Sequence, residues 1–426
     1  MNQVEQRPTR WGIPFFTIWS GQQLSLIGSS IAQFALVWWV TEKTGSATVL
    51  ATATMVSLLP GVILGPLVGT LVDRWNRRLV MMVADGFIAL ASAWLVYLFW
   101  IDAMRIEYVY VIMLARAMGG AFHFPAMQAS TSLMVPPGHL SRVAGLNQMM
   151  GGAVNVIGPP LGALFLSLLP LHQIMAIDVV TAAFAIVPLF FVAIPQPRRG
   201  ETSAGIAGVW DDMRAGFRYI WGWPGILAIC VMAMVLNFLS NPAMALTPIL
   251  VTEHFDGGAF HLGWLNSAWG VGLVVGGITL GVWGGFRRRV VTGLLGVAGS
   301  GVGILIVGLT PATAFPLAVG GMFLGAALNA ICNGVLFALL QEVVAHEMQG
   351  RVFTVIMSLC TLMAPIGMAV AGPVADALGV RFLYVIAGIV TMLLGAGAFL
   401  VPAIMHIEDN HRAPEIEPAP DAVGGA

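Results

Sequence analysis

The sequence predicts an all-α membrane protein of twelve transmembrane helices, arranged as two pseudo-symmetric six-helix bundles. Three observations predict it. Only 9% of the 426 residues are charged and 58% are hydrophobic, where a soluble chain carries roughly 25% charged residues, so most of this chain is solvated by lipid. Apolar stretches of about 20 residues, enough to cross a bilayer, recur along its length. Features of the first half also return roughly 210 residues later in the second.

Taken in order, the apolar stretches place spans at 13–40, 47–72, 79–101, 108–134, 143–169, 174–194, 225–250, 263–285, 290–310, 315–341, 352–378 and 382–404. The first is too long and too polar along one side for a cleavable signal segment, and no small-residue cleavage site follows it. The 51 glycines and 24 prolines lie largely inside these stretches. There, glycine lets helices approach and neighbouring helices satisfy the backbone that proline frees. Cys230, Cys332 and Cys360 fall within spans without metal or disulfide spacing and read as small apolar residues.

Basic residues accumulate in cytoplasmic loops. With the N-terminus inside, the inner segments hold Arg7, Arg10, Arg74, Arg77, Arg78, Arg142, Arg198, Arg199, Arg214, Arg218, Arg287, Arg288, Arg289, Arg351 and Arg412. The outer ones hold only Lys43, Arg105 and Arg381. The expected topology therefore has both termini cytoplasmic and an even span count, in the cell (inner) membrane. Trp11, Trp75, Trp221, Trp223 and Trp283 near inner ends and Trp38, Trp39, Trp100 and Trp264 near outer ends read as interfacial anchors.

The domain reading is a first bundle at 1–194, a cytoplasmic linker at 195–223, a second bundle at 224–404 and a disordered tail at 405–426 rich in proline and acidic residues. Within the linker, Trp210, Met213, Phe217 and Ile220 recur at helical spacing, with Asp211, Asp212, Arg214 and Arg218 on the other side. That pattern predicts an amphipathic helix on the membrane surface.

The densest charge cluster is Gly69-Thr-Leu-Val-Asp73-Arg74-Trp-Asn-Arg77-Arg78, between the second and third spans. Gly61, Gly65 and Gly69 share one helix face with Asp73, which suits a close helix contact ending in a charged latch. An anion held against the N-terminus of a facing helix gains about 0.3–1 kcal/mol, weak enough for ligand or proton to release. The plainer reading makes these charges topology signals in a tight loop. Gly61, Gly65, Arg77 and Arg78 align with Gly272, Gly276, Arg288 and Arg289, while Asp73 aligns with Gly284. Gly158-Pro159-Pro160 pairs with Gly372-Pro373-Val374, and Arg142-Val143 with Arg351-Val352. Two parallel six-span repeats make a shell that rocks about a central site.

The segment Gly69–Arg78 resembles the motif that major facilitator superfamily transporters carry between their second and third helices. The run from Arg116 to Pro137, followed by Gly158-Pro159-Pro160-Leu161-Gly162-Ala163, is similar to the macrolide-efflux and enterobactin-exporter branch. The resemblance implies that Asp73 meets the start of the eleventh helix, near Gly350 and Arg351, in the outward-open state. It implies that Arg116 takes part in proton coupling, and that Gly158, Pro159 and Gly162 form an antiporter-type element. Ala163 departs from the family, which often has a glycine there. It further implies a cavity lined by the first, fourth, seventh and tenth helices. Those helices offer Gln22, Gln23, Gln33, His123, Gln128, Asn237, Asn241, Asn329 and Asn333 among Phe and Met side chains, a lining that suits a roomy pocket for an amphipathic molecule. The alternative is that each amide simply bonds a neighbouring helix.

A charge at the depth of Arg116 costs roughly 2.5–3.5 kcal/mol, so it needs a partner or water. Asp178, at similar depth in the sixth span, is the expected partner, either as a structural ion pair or as a proton-exchanging one. Asp85 is expected to join the arginines of the 69–78 loop, and Glu342 and Asp376 to be interfacial. His346-Glu347 lacks a second histidine, Gly350 standing in its place, and Gly299-Ser-Gly-Val-Gly303 lies in an apolar helix with no strand before it. Lys43 is the single lysine, so no Walker motif exists. The expectation is a non-enzymatic, monomeric secondary transporter needing no cofactor or metal, whose partners are a small-molecule substrate, protons and the lipid bilayer rather than nucleic acid. Export by proton antiport is the leading reading, with uptake by the same fold, or a non-transporting membrane protein, as alternatives.

Overall fold

The computed structural model describes residues 11–196 and 206–408, without the side chains of residues 66, 69, 70, 73, 74 and 206–209. The expected tail beyond 408, Arg7, Arg10, Arg198, Arg199 and Arg412 lie outside the described residues, as do the side chains of Gly69, Asp73 and Arg74. Fourteen helices carry the architecture: α1 (Gly12–Thr44), α2 (Ala47–Arg74), α3 (Arg77–Trp100), α4 (Ile106–Met134), α5 (Leu140–Leu168), α6 (Leu171–Phe191), α7 (Ile206–Gly222), α8 (Pro224–Ala245), α9 (Thr247–Glu253), α10 (Ala259–Trp283), α11 (Arg289–Leu309), α12 (Phe315–Val343), α13 (Gln349–Leu378) and α14 (Val380–Gly397). All but α7 and α9 are long and apolar enough to cross a membrane, giving twelve such helices among the described residues. Most are apolar nearly all round, as spanning helices are.

Local chemistry sets the helix ends. Gly45 (φ 58°) stops α1, Ser46 caps α2 by accepting from the Val49 N–H, and Asn76 caps α3 through Leu79. The expected seventh span at 225–250 divides instead at Leu246 into α8 and α9, because Pro242 and Pro248 each remove a helical donor around that turn. In the linker, α7 buries Tyr219 and Ile220 but leaves Trp210 and Phe217 outward. The protein-packed face thus takes Ile220 from the apolar stripe and adds Tyr219. Gly216 seats it on α13, where a β-carbon would lie 2.7 Å from the Arg351 carbonyl oxygen. Two expected interfacial tryptophans, Trp38 and Trp223, are buried in the protein instead.

Within the first half α1 packs on α5 and α6, α3 on α4 and α6, and α2 on α4. The second half pairs α8 with α13 and α14, α10 with α12, and α11 with α12 and α14. The halves meet chiefly along α2 with α13 and α5 with α10. At the end distal to the termini, one hydrophobic core draws on both halves, from Leu36 and Leu50 through Ile249 and Leu262 to Tyr384. At the terminal end the cores are separate, one around Tyr219–Met232 and Val352 and others around Val68, Met81 and Phe15. The bundle is zipped at its distal end.

That packing corrects two expectations. Gly61 and Gly65 press on nothing: a β-carbon at either meets no atom within 4 Å. Their repeat partners do pack, since Gly272 would collide with the Phe323 carbonyl oxygen at 2.5 Å and Gly276 with Ala327 of α12. The pairing of Gly158 with Gly372 also fails by contact. Gly158 fits against Ser30 of α1 in its own half, whereas Gly372 fits against Thr48 and Ala51 of α2 in the other. Gly367, packed on Phe238 of α8, is the counterpart of Gly158 by position. Gly284, aligned with Asp73, has φ 76° and stops α10. At this position the second half has a left-handed helix stop, which glycine adopts without strain.

Candidate functional site

Four apolar helices bring polar side chains together inside the first half. Asp178 of α6 is 2% exposed and accepts from Ser29 Oγ of α1 at 2.6 Å, from Ser92 Oγ of α3 at 2.7 Å and from Arg116 of α4. Arg116 also donates to Ser92, and Gln33 lines the small void beside the pair. A charge pair removed from lipid persists only when its remaining valences are satisfied. Here both carboxylate oxygens are.

A second cluster lies deeper toward the terminal end. Gln22 of α1 donates to Asp85 Oδ2 at 2.9 Å, and His123 Nε2 of α4 stands 3.2 Å from Oδ1. Asp85 was expected among the loop arginines; its partners are Gln22 and His123, because it points into the α1–α3–α4 interface rather than along α3 to the loop. Gln22, expected in a substrate cavity, is 4% exposed and committed to Asp85. Small residues allow both clusters. Beta-carbons at Gly21 and Gly28 would strike Phe184 and Thr181 of α6, and one at Gly119 would meet Ile88 of α3 at 2.5 Å.

The remaining cavity candidates divide. Asn237 bonds the Ala233 carbonyl and receives Asn241, whose Nδ2 reaches Asn237 Oδ1 at 2.9 Å. Asn333 meets Asn329 Oδ1 at the same distance on α12. These amides bond within their own helices, one turn apart, and not to neighbouring helices as the alternative reading had it. Gln23 and Asn329 are half-buried, and Gln128 and Asn333 exposed. The antiporter-type element is a tight seam: Gly158 rests on Ser30, and a β-carbon at Gly162 would lie 2.7 Å from the Phe34 ring.

At the terminal face, Arg77 donates to the Ala129 carbonyl at 2.9 Å, and Arg78 donates to the Leu189 and Phe190 carbonyls that end α6. Both join elements of their own half. Arg351, expected near Asp73, bonds Asp212 of α7 at 2.7 Å. Glu342 pairs with Arg289 at the surface. The distal face holds a contact that the sequence reading passed over. Asp376 of α13 accepts from the backbone N–H groups of Ala47 and Thr48 and from Ser46 Oγ, at 2.7, 3.1 and 3.0 Å. It caps α2 from the opposite half. Ser92 was missed as well, although its seven-residue spacing from Asp85 on an apolar helix was a usable signal.

The family model for transmembrane secretion effectors matches residues 7–422. The chain belongs to that family, within the major facilitator superfamily. It is similar to macrolide efflux protein A of Streptococcus pyogenes, 31% identical over 402 residues, covering 94% of this chain and 98% of the relative. Macrolide efflux protein A of Enterococcus faecalis is 30% identical over 76% of this chain and all of its own length. The multidrug efflux pump Tap of Mycolicibacterium fortuitum is 26% identical over 89% and 94% of the two chains. Among solved structures, a bacterial homolog of the human lysosomal transporter Spinster, in an inward-facing and unoccupied conformation, superposes with a TM-score of 0.66 at 12% identity. That match covers 95% of this chain and 97% of the other. The nucleoside transporter NupG gives 0.64 at 12% identity, covering 89% and 98%. The transporter thus has the major facilitator fold.

Proposed function

We propose that this transporter exports amphipathic small molecules by proton antiport and alternating access, with its termini cytoplasmic in the cell membrane. The observation that carries the coupling is the buried Arg116–Asp178 pair, held by two serines from two further helices. A carboxylate so placed keeps its charge through its cation and loses it to a proton once rocking or substrate disturbs the pair. The Asn237–Asn241 and Asn329–Asn333 pairs on α8 and α12 supply polar contacts in the cavity from the second half, and Gln23, Gln33 and Gln128 do so from the first. Efflux by the relatives supports the direction of flux.

In this reading the structure is the inward-open state: the shared distal core and the Asp376 cap close the outer face, while the separate terminal cores leave the inner face parted. Rocking then carries the Gly61–Gly65–Gly69 stripe onto α13, and Asp73 with Arg74, Arg77 and Arg78 forms the inner latch. The test uses the purified transporter in liposomes with erythromycin or ethidium as probe. An imposed pH difference is expected to drive the probe against its gradient, and Asp178→Asn to abolish that movement. Accumulation that survives collapse of the pH difference would overturn the coupling. Full activity of Asp73→Asn would remove the latch from the mechanism.

A further inference from the structure

The two buried clusters are one arrangement repeated along the helices. Gln22 and Ser29 lie seven residues apart on α1, Asp85 and Ser92 seven apart on α3, and Arg116 and His123 seven apart on α4. Seven residues are two turns, about 10.5 Å of rise. The distal layer therefore holds a carboxylate, a hydroxyl donor from α1 and a cation from α4. The layer below it holds a carboxylate, an amide donor from α1 and an imidazole from α4. They differ in one chemical respect. Arginine carries its charge at every accessible pH, whereas histidine is the side chain whose charge changes near neutrality.

We infer that Asp85 and His123 form a second proton-binding station, on the terminal-face side of the Arg116–Asp178 layer. The inference rests on the antiport reading and assigns it a further site. The proton adds to the imidazole nitrogen facing Asp85, turning a carboxylate with one amide donor into a full ion pair like the one above it. Two observations favour this. His123 Nε2 lies at ion-pair distance from Asp85 but has no aligned hydrogen bond, so the ring has a valence that a proton and a small rotation fill. His123 is also the more accessible partner, 17% exposed against 9% for Asp85. The packed elements present to this pair His123 from α4 and neutral Gln22 from α1. Among the described side chains, the same elements also carry Arg116 and Asp178 one layer distal, on α4 and α6, and Arg77 two turns away on α3 itself.

Histidine nitrogen resonances of the full transporter in nanodiscs, with His123 assigned by its absence from His123→Gln, test the station without substrate. His123 is expected to take up a proton in the wild type and in Asp85→Glu, and to fail to do so under the same conditions in Asp85→Asn, where the facing carboxylate is gone. A His123 signal that shows no proton uptake, or that ignores Asp85→Asn, overturns the station. In liposomes, pH-driven erythromycin accumulation is expected to fall at least tenfold in both His123→Gln and His123→Arg. A structural role would tolerate arginine, which fills the same place in the layer above, so unimpaired His123→Arg also overturns the inference. If the wild type itself shows no pH-driven accumulation, the antiport reading fails. A wild type that accumulates together with variants that do so equally defeats the station alone.

Discussion

Asp376 accepts the backbone N–H of Ala47 at 2.7 Å, joining the last turn of α13 to the first turn of α2 across the boundary between the two halves. A carboxylate near its own helix C-terminus is disfavoured by that helix's dipole, but here it faces the positive end of another. In the alternating-access reading proposed above, opening of the distal face breaks this contact. Asp376→Ala is therefore expected to shift the two-state balance toward distal opening by about 1 kcal/mol, about fivefold in population. Spin-label distances between α2 and α13 at this end read the shift directly. An unchanged distance distribution would remove Asp376 from the gate.

The glycine seams separate folding from transport. Gly162→Val drives a branched side chain into the Phe34 ring and is expected to cost about 1–3 kcal/mol, seen as a lower melting temperature in detergent. Gly61→Ala and Gly65→Ala meet no atom in this conformation. They should leave the melting temperature level or raised, since alanine favours helix over glycine by roughly 0.5–1 kcal/mol. If the stripe seats on the opposite half in the alternate state, the same variants lose transport. Stable variants with intact transport would show that it never closes there.

Arg116 and Asp178 are buried together, so removing either strands the other. Asp178→Asn leaves a buried guanidinium among serines and Arg116→Ala leaves a buried carboxylate, each expected to destabilise by about 3–5 kcal/mol. The double variant Arg116→Met with Asp178→Leu should be nearer the wild type than either single one. Thermal unfolding of the wild type, Arg116→Met, Asp178→Leu and this double variant measures the coupling, and strictly additive losses would mean that the pair is not an electrostatic unit.

Glu253, at the end of α9 outside the spans, has its carboxyl pushed above the ordinary glutamate range, first by burial and then by the nearby charge of Asp376. The folded protein thus binds this proton more tightly than the unfolded chain, and stability rises as pH falls through the raised value. Glu253→Gln is expected to melt higher than the wild type at neutral pH. The advantage should disappear in acid, where the native carboxyl is protonated too. A constant difference across pH would assign the effect to something other than this ionisation.

The sequence by itself determined that this chain spans a membrane twelve times in two related halves, because lipid solvation demands long apolar helices and a duplicated chain keeps its glycine and arginine landmarks in register. It also determined the Arg116–Asp178 pairing, since a charge at that depth leaves few partners. Only the tertiary structure decided the rest. Asp85 turned from the arginine loop to Gln22 and His123 because helix rotation, set by close contacts at Gly21, Gly28 and Gly119, chooses which face a side chain presents. Asp376 became a cap on α2 because two chain segments more than 300 residues apart meet at the distal face. Which face is closed, and so which glycines touch anything, depends on the relative tilt of the two halves. That tilt is set by packing between helices far apart in the sequence, such as α2 with α13 and α5 with α10.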